Sequence, residues 1–247
     1  MHPVNRVLSI VGLQLSRTQK VPREFIAEYK RTLVELQNNP PRGFAVLKNV
    51  AAYEVGTHPE NYIDYECQFA SFHIQRLNPQ TILDIGSYRH FIIGLLSHYK
   101  VTTMDVRSRV AFLDNETVIT GDAKNLGLPN DSFDTITSLS ALEHFGLGRY
   151  GDEVDMYADI KAFREMIRVL KPGGCLIFTT TITRARPSIV WNQYRTYSYE
   201  MIKELCSGLS CVNERLCSCA GVDLGQPSNL TEDPNMVWDV YCGCWKK

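Results

Sequence analysis

The 247-residue chain has no excess of charge of either sign: 26 Lys and Arg stand against 27 Asp and Glu, for a net charge of −1. It has no basic block and no Lys/Arg stripe. The phosphate attraction on which nucleic-acid binding rests is therefore missing, and nucleic acid is not expected as a partner. No apolar run is long enough to cross a bilayer as a helix. The leading segment MHPVNRVLSIVGLQLSR holds one early Arg and a short apolar run. It lacks a small-residue cleavage site, so it reads as a short helix rather than a signal peptide, and a cytoplasmic location is expected. Internal repeats and low-complexity stretches are absent.

Tight C-x₂-C turns, the usual source of zinc ligands, are also missing. The eight cysteines are Cys67, Cys175, Cys206, Cys211, Cys217, Cys219, Cys242 and Cys244. The pairs Cys217/Cys219 and Cys242/Cys244 fall in runs with β character, where residues i and i+2 share a face about 6.6 Å apart. Buried free thiols are expected, with no metal, as in a cytosolic α/β enzyme that keeps its thiols reduced.

Hydrophobic residues make up 44% of the chain, enough for a sizeable core. Residues 1–78 read as a helical extension. Val21–Gln37 carries apolar residues near helical period and is broken by Asn38-Asn39-Pro40-Pro41. A second helix over Tyr62–Leu77 stops at Asn78-Pro79. These helices have two natural uses, as a lid over the cofactor side or as a homodimer contact. Residues 79–247 form the main domain, in which strands and helices alternate. Strands are expected at Ile82–Ile85, Val101–Val106, Val118–Thr120, Asp134–Leu139 and Cys175–Thr180. Helices are expected at His90–His98, Arg107–Asp114, Asp155–Leu170 and Tyr199–Cys206, the last capped by Ser198. This alternation gives a parallel sheet with right-handed crossovers. Two final β runs, Cys211–Cys219 and Met236–Trp245, have no helix between them and predict an antiparallel hairpin at the sheet edge.

The strand TILDI breaks into Gly86-Ser87, and the next strand, VTTMD, ends on Asp105. A glycine at such a tip lets the backbone approach a ligand, and a carboxylate at the next tip can accept hydrogen bonds from a ribose diol. Against this, the glycine turn could be an ordinary βα connection, and Asp105 could cap a helix before Arg107. Two further segments, Val118–Leu139 and Val169–Thr181, continue the pattern. Together the four resemble the class I S-adenosylmethionine-dependent methyltransferases.

That resemblance implies a three-layer, Rossmann-like α/β fold with a mostly parallel seven-stranded sheet, and S-adenosyl-L-methionine as cofactor. It assigns Asp84, Gly86 and Ser87 to the glycine-rich turn, Asp105 to the ribose, and Val106 to cofactor binding. It assigns Asp122 and Ala123 to adenine, and Ser140 to the cofactor side of the fourth tip. Tyr88 and His90 depart from the family by standing where further glycines are common. The string EHFGLGRYGD after the fourth strand, with NQYRTYS after the fifth, resembles a narrower methyltransferase-like group. By that likeness Glu143, His144, Arg149, Tyr150 and Asp152 face the chemistry, and Asn192, Arg195 and Tyr197 face the substrate.

His144 suits proton removal near neutral pH; it could equally be held by backbone. Arg149 could grip an anion or simply pair with Asp152. Tyr88, Arg89 and His90 could be no more than a first helical turn. His58, His73 and His98 show no partner spacing. The expected activity is methyl transfer to a small polar acceptor, at oxygen, with a saccharide or glycan-linked metabolite preferred. The competing expectations are a methyltransferase-shaped binding or regulatory module without turnover, and another enzyme using the same nucleotide pocket.

Overall fold

The computed structural model describes residues 21–53, 60–233 and 238–247. The expected N-terminal helix within residues 1–17, and His58, lie outside them. Contacts divide the chain into two units, Met1–Pro59 and Glu60–Lys247. The first contains α1 (Arg23–Asn38), none of whose residues is buried. Tyr29 donates its hydroxyl to the Asn49 carbonyl (2.6 Å), and Phe25 packs its ring on Tyr53. The division falls well before residue 78, so the second expected helix belongs to the main unit.

That helix, α2 (Tyr62–Leu77), starts at a capping box. Asn61 accepts the Ile63 N–H, and Asp64 accepts the Asn61 N–H. Asn78, in the left-handed region, ends it. The elements that follow are β1 (Ile82–Ile85), α3 (Arg89–Leu95), β2 (Val101–Asp105), β3 (Glu116–Thr120) and β4 (Phe133–Leu139). After a 3₁₀ turn at Leu142–His144 come α4 (Ala158–Val169), β5 (Leu170–Ile182), β6 (Ser188–Val190), β7 (Tyr194–Thr196), α5 (Tyr199–Leu205), β8 (Ser210–Ser218) and β9 (Asp239–Lys246).

The main sheet runs β3-β2-β1-β4-β5-β9-β8. Its first five strands are parallel, and β9 lies antiparallel between β5 and β8. This is the mostly parallel seven-stranded sheet, with a terminal hairpin, expected of the Rossmann-like methyltransferase fold. Alternation along each strand feeds two cores. Leu83, Ile85, Ile136, Leu176 and Phe178 pack with Phe163 and Met166 of α4 and Ile202 of α5. Ile82, Val101, Leu139, Ile177 and Val240 pack with Phe69 and Ile74 of α2 and Phe91 and Ile92 of α3. The result is three layers.

The helix expected at Arg107–Asp114 does not form; the segment is a bend and turn. Asp105 draws the Arg107 N–H and guanidinium onto its own carboxylate, and Arg109 folds back to Thr103 and Glu116. These local side-chain pairs replace the i→i−4 ladder a helix would need. The small β6–β7 ribbon was not expected from sequence. Cys175, Cys206, Cys217, Cys242 and Cys244 are buried free thiols. No group of three or more His, Cys, Asp and Glu among the described residues is placed to hold a metal ion.

The chain after β4 is pinned to α4 at Gly146. Its φ is +70°, and a Cβ there would lie 2.2 Å from the Asp155 carbonyl oxygen and 2.4 Å from Ala158 Cβ. Gly127 has φ +62° but open space around it. Gly146→Ala should therefore lose about 2–4 kcal/mol of stability, from backbone strain plus overpacking, and Gly127→Ala only about 1 kcal/mol, as read by urea denaturation.

Candidate active site

Strand order reverses between β1 and β4. The chain moves outward through β2 and β3, then returns to build β4 and β5 on the other side. Connections on either side of that point leave in opposite directions, so a crevice opens beyond the carboxyl ends of the central strands. It holds a cavity of about 730 Å³, within the range of small-molecule sites. Asp84, Gly86, Ser87, Tyr88, Asp105, Arg107, Ser140, Glu143, His144, Arg149 and Tyr150 line it. A smaller hollow of about 70 Å³ shares Gly86, Asp105, Ser140, His144 and Tyr150 with the larger one. It continues between Met104, Val106, Ala123 and Phe145, with Asp122 and Asp152 at its rim.

Gly86 makes the turn at the β1 tip with φ +72°, and an added Cβ would meet Ala141 Cβ at 3.0 Å. Asp84, just before it, is buried. It accepts the Thr137 hydroxyl (2.7 Å) and the Ser87 N–H (3.2 Å). Burial still pushes its pKa up, to about 6. Asp105 behaves differently. Burial alone would raise it, but hydrogen bonds from Arg107 outweigh that and hold it below the usual carboxylate range. Arg107 also lies over the Tyr150 ring at 4.5 Å, so Asp105, Arg107 and Tyr150 form one stack between the two hollows.

On the sheet face under α3, Glu116 takes both Arg89 (2.6 and 2.9 Å) and Arg109. Burial works against its charge, but the two guanidinium groups hold its pKa down to about 2. Arg109 Nη1 is buried without a hydrogen-bond partner.

His144 sets its Nδ1 2.5 Å from the Gln193 carbonyl. That carbonyl can only accept, so Nδ1 carries the proton and Nε2 of the neutral ring is the basic nitrogen. Burial moves its pKa down. Glu143, beside it in sequence, is 2% exposed and accepts the Thr180 hydroxyl at 3.0 Å. Burial without a cation pushes its pKa up to about 8. A second buried acid, Glu66 of α2, accepts Tyr88 (2.9 Å) and Ser140 (2.6 Å), and burial raises it too.

Every residue assigned from sequence to the cofactor or to the chemistry lines one hollow or the other. Tyr88, which replaces a family glycine, borders the cavity without filling it. Arg149 and Asp152 do not pair: Arg149 lies over Tyr150 (5.2 Å) and reaches the Gln193 carbonyl, while Asp152 receives the Gly148 and Tyr150 N–H groups.

The three substrate-side residues fall elsewhere, and here the sequence expectation is corrected. Arg195 is buried against the carbonyls of Phe145 and Met156, beside Asp159. Tyr197 is buried with its hydroxyl on Asp159 (2.9 Å), and Asn192 ties to the Leu147 carbonyl (3.1 Å). None of the three lines the cavity. Arg195 and Asn192 brace the loop that presents His144, and Tyr197 ties to α4 through Asp159.

Solved structures share this architecture. The N-methyltransferase NodS of Bradyrhizobium japonicum, in complex with S-adenosylhomocysteine, superposes with a TM-score of 0.52 at 19% identity, over 76% of this chain and 89% of that one. The 1,6-didemethyltoxoflavin N1-methyltransferase of Burkholderia thailandensis, also with S-adenosylhomocysteine, gives 0.53 at 13% identity, over 94% and 93%. The [4+2]-cyclase SpnF gives 0.55 at 17% identity, over 73% and 80%. The fold is that of the class I S-adenosylmethionine-dependent methyltransferases. A family profile described as Caenorhabditis protein of unknown function, DUF268, matches residues 96–215, from the end of α3 into β8. It leaves out the β1 tip. No curated protein sequence matches the chain.

Four residues of this methyltransferase-fold site were not singled out from sequence: Tyr62 and Glu66 of α2, Tyr194 of β7, and Trp238. Tyr194 lies inside the NQYRTYS string without having been given a role; Tyr62, Glu66 and Trp238 stand far along the chain from the motifs, and only the assembled sheet brings the four to one place.

Glu143 has a measurable signature. A carboxyl whose folded pKa lies above its unfolded value contributes stability at low pH, and that contribution is lost as pH rises through the folded value. Wild-type stability should therefore fall between pH 4.5 and 8 relative to Glu143→Gln, by a few kcal/mol at most. Urea denaturation of both proteins at pH 5 and pH 8 checks this.

Proposed function

We propose that the chain is an S-adenosylmethionine-dependent methyltransferase acting on a small polar acceptor. One observation carries the reading: a single crevice at the strand-order reversal joins a glycine turn, the Asp105 carboxylate and a narrow apolar hollow next to Asp122. Met104, Val106, Ala123 and Phe145 would hold the planar base, with Asp122 and the Ala123 amide as its polar partners. Asp105 would accept from a ribose diol, sharing its carboxylate with Arg107. Gly86 lets an amino-acid tail pass close to the β1 tip beside Ser87 and Asp84.

S-adenosylmethionine, when bound, supplies a methyl group already activated for displacement. The protein's part is alignment, exclusion of water and removal of a proton. His144 Nε2 is oriented for that removal by the Gln193 carbonyl, and Glu143 is a second base close by. The expectation of a saccharide hydroxyl leaned on two Arg-rich loops. With Arg195 turned into the protein, Arg149 alone of that pair faces the cavity.

The binding module without turnover draws on Asp105 being already occupied by Arg107. The open cavity beside Tyr88 favours the enzyme. Calorimetric titration with S-adenosylhomocysteine separates the two, since a module without a cofactor site takes up no heat at millimolar ligand. Asp105→Ala should weaken that binding about tenfold or more, because a charged acceptor contributes roughly 1.5–3 kcal/mol. His144→Ala should leave it within about twofold while slowing methyl transfer. A nicotinamide dinucleotide copurifying with the protein, seen by mass spectrometry, would remove the methyl-transfer reading.

A further inference from the structure

The cavity changes character away from Asp105. Tyr62, Tyr194 and Trp238 converge there. The Tyr62 and Trp238 rings stand 5.1 Å apart, edge to face, and Tyr194 lies 6.3 Å from Trp238. All three line the cavity together with Glu143 and Thr181. Behind this wall Tyr88 donates its hydroxyl to Glu66 (2.9 Å).

Glu66 and Glu143 are 0% and 2% exposed. Their side-chain partners are hydroxyls: Thr180 for Glu143, and Tyr88 and Ser140 for Glu66. Neither makes an ion pair with a described Lys, Arg or His. Elsewhere on the same sheet a buried acid is matched: Glu116 has two arginines. Two acids buried without a cation are costly to ionise, and the cost falls if a cation arrives with the ligand. Aromatic faces supply the complementary attraction, because a ring draws a cation to within about 6 Å of its centre. A sugar hydroxyl gains nothing from the missing charge.

We infer that this end of the cavity binds an alkylammonium group, so that the methyl acceptor is an amine rather than a hydroxyl. The binding claim stands on the rings and the two acids; the reaction rests on the methyl-transfer reading above. A bound ammonium must lose a proton before its nitrogen can react. Glu143 is placed to take it: the N–H bond breaks, an O–H bond forms on the carboxylate, and the electron pair stays on nitrogen.

Choline and 3,3-dimethyl-1-butanol have nearly the same shape and differ by the charge. Ligand-observed NMR titrations of both, with S-adenosylhomocysteine saturating, read the charge preference directly. Choline should bind at least tenfold tighter. Trp238→Leu and Glu143→Gln should each cut that preference severalfold, with calorimetric affinity for S-adenosylhomocysteine within about twofold of wild type. Equal affinity for the two probes overturns the inference, and so does a methyl glucoside that binds where choline does not. A choline preference that persists in a protein unable to bind S-adenosylhomocysteine supports the cation site and removes the methyl-transfer reading instead.

Discussion

The reversal of strand order between β1 and β4 is the constraint on which the rest depends. A parallel sheet with both faces covered can admit a ligand only past its strand ends, and the crevice forms where neighbouring connections diverge. All the chemistry-bearing tips of this chain arrive there: Asp84 and Gly86 from β1, Asp105 from β2, Asp122 after β3, and Ser140 with Glu143 and His144 after β4. Helix α2 precedes the sheet in sequence, yet it packs on the sheet face, delivers Tyr62 to the same opening and sets Glu66 behind Tyr88 and Ser140, which line it.

Charge inside this crevice is distributed unevenly, and the unevenness has a direction. At the β2–β3 side Glu116 and Asp105 are satisfied by Arg89, Arg109 and Arg107, so that side is electrically settled. At the α2 side Glu66 and Glu143 sit among hydroxyls and rings with no cation. Buried acids of the second kind are held toward their neutral forms by desolvation. They are therefore the groups whose state changes most when a positively charged ligand enters. His144, fixed by a backbone carbonyl, keeps one tautomer and a free basic nitrogen whichever acceptor is present.

Much of this was legible in the sequence because strand tips carry local signals. TILDIG, VTTMD and GDA each mark the end of an apolar run at a strand tip, and those tips do face the crevice. The hairpin of β8 and β9 was equally readable from two β runs with no helix between them. Local signals failed where specific side-chain pairs decide. Arg107–Asp114 has helical composition, but Asp105, Thr103 and Glu116 capture its arginines and the turn never propagates. Arg195 and Tyr197 have the side chains of a binding wall, yet Asp159 and the carbonyls after Leu142–His144 claim them. Glu66, Tyr62 and Trp238 carry no motif, Tyr194 stands inside NQYRTYS without a signal of its own, and no spacing in one dimension brings the four together.

The central claim is that the crevice at this reversal receives an adenosyl group. The crystal structure of the complex with S-adenosylhomocysteine tests it most directly. The account predicts the base between Met104, Val106, Ala123 and Phe145, the ribose hydroxyls on Asp105, and the sulfur turned toward Glu143 and His144. A ligand held away from Asp105 and Asp122, or one that leaves the hollow beside Ala123 empty, would contradict it.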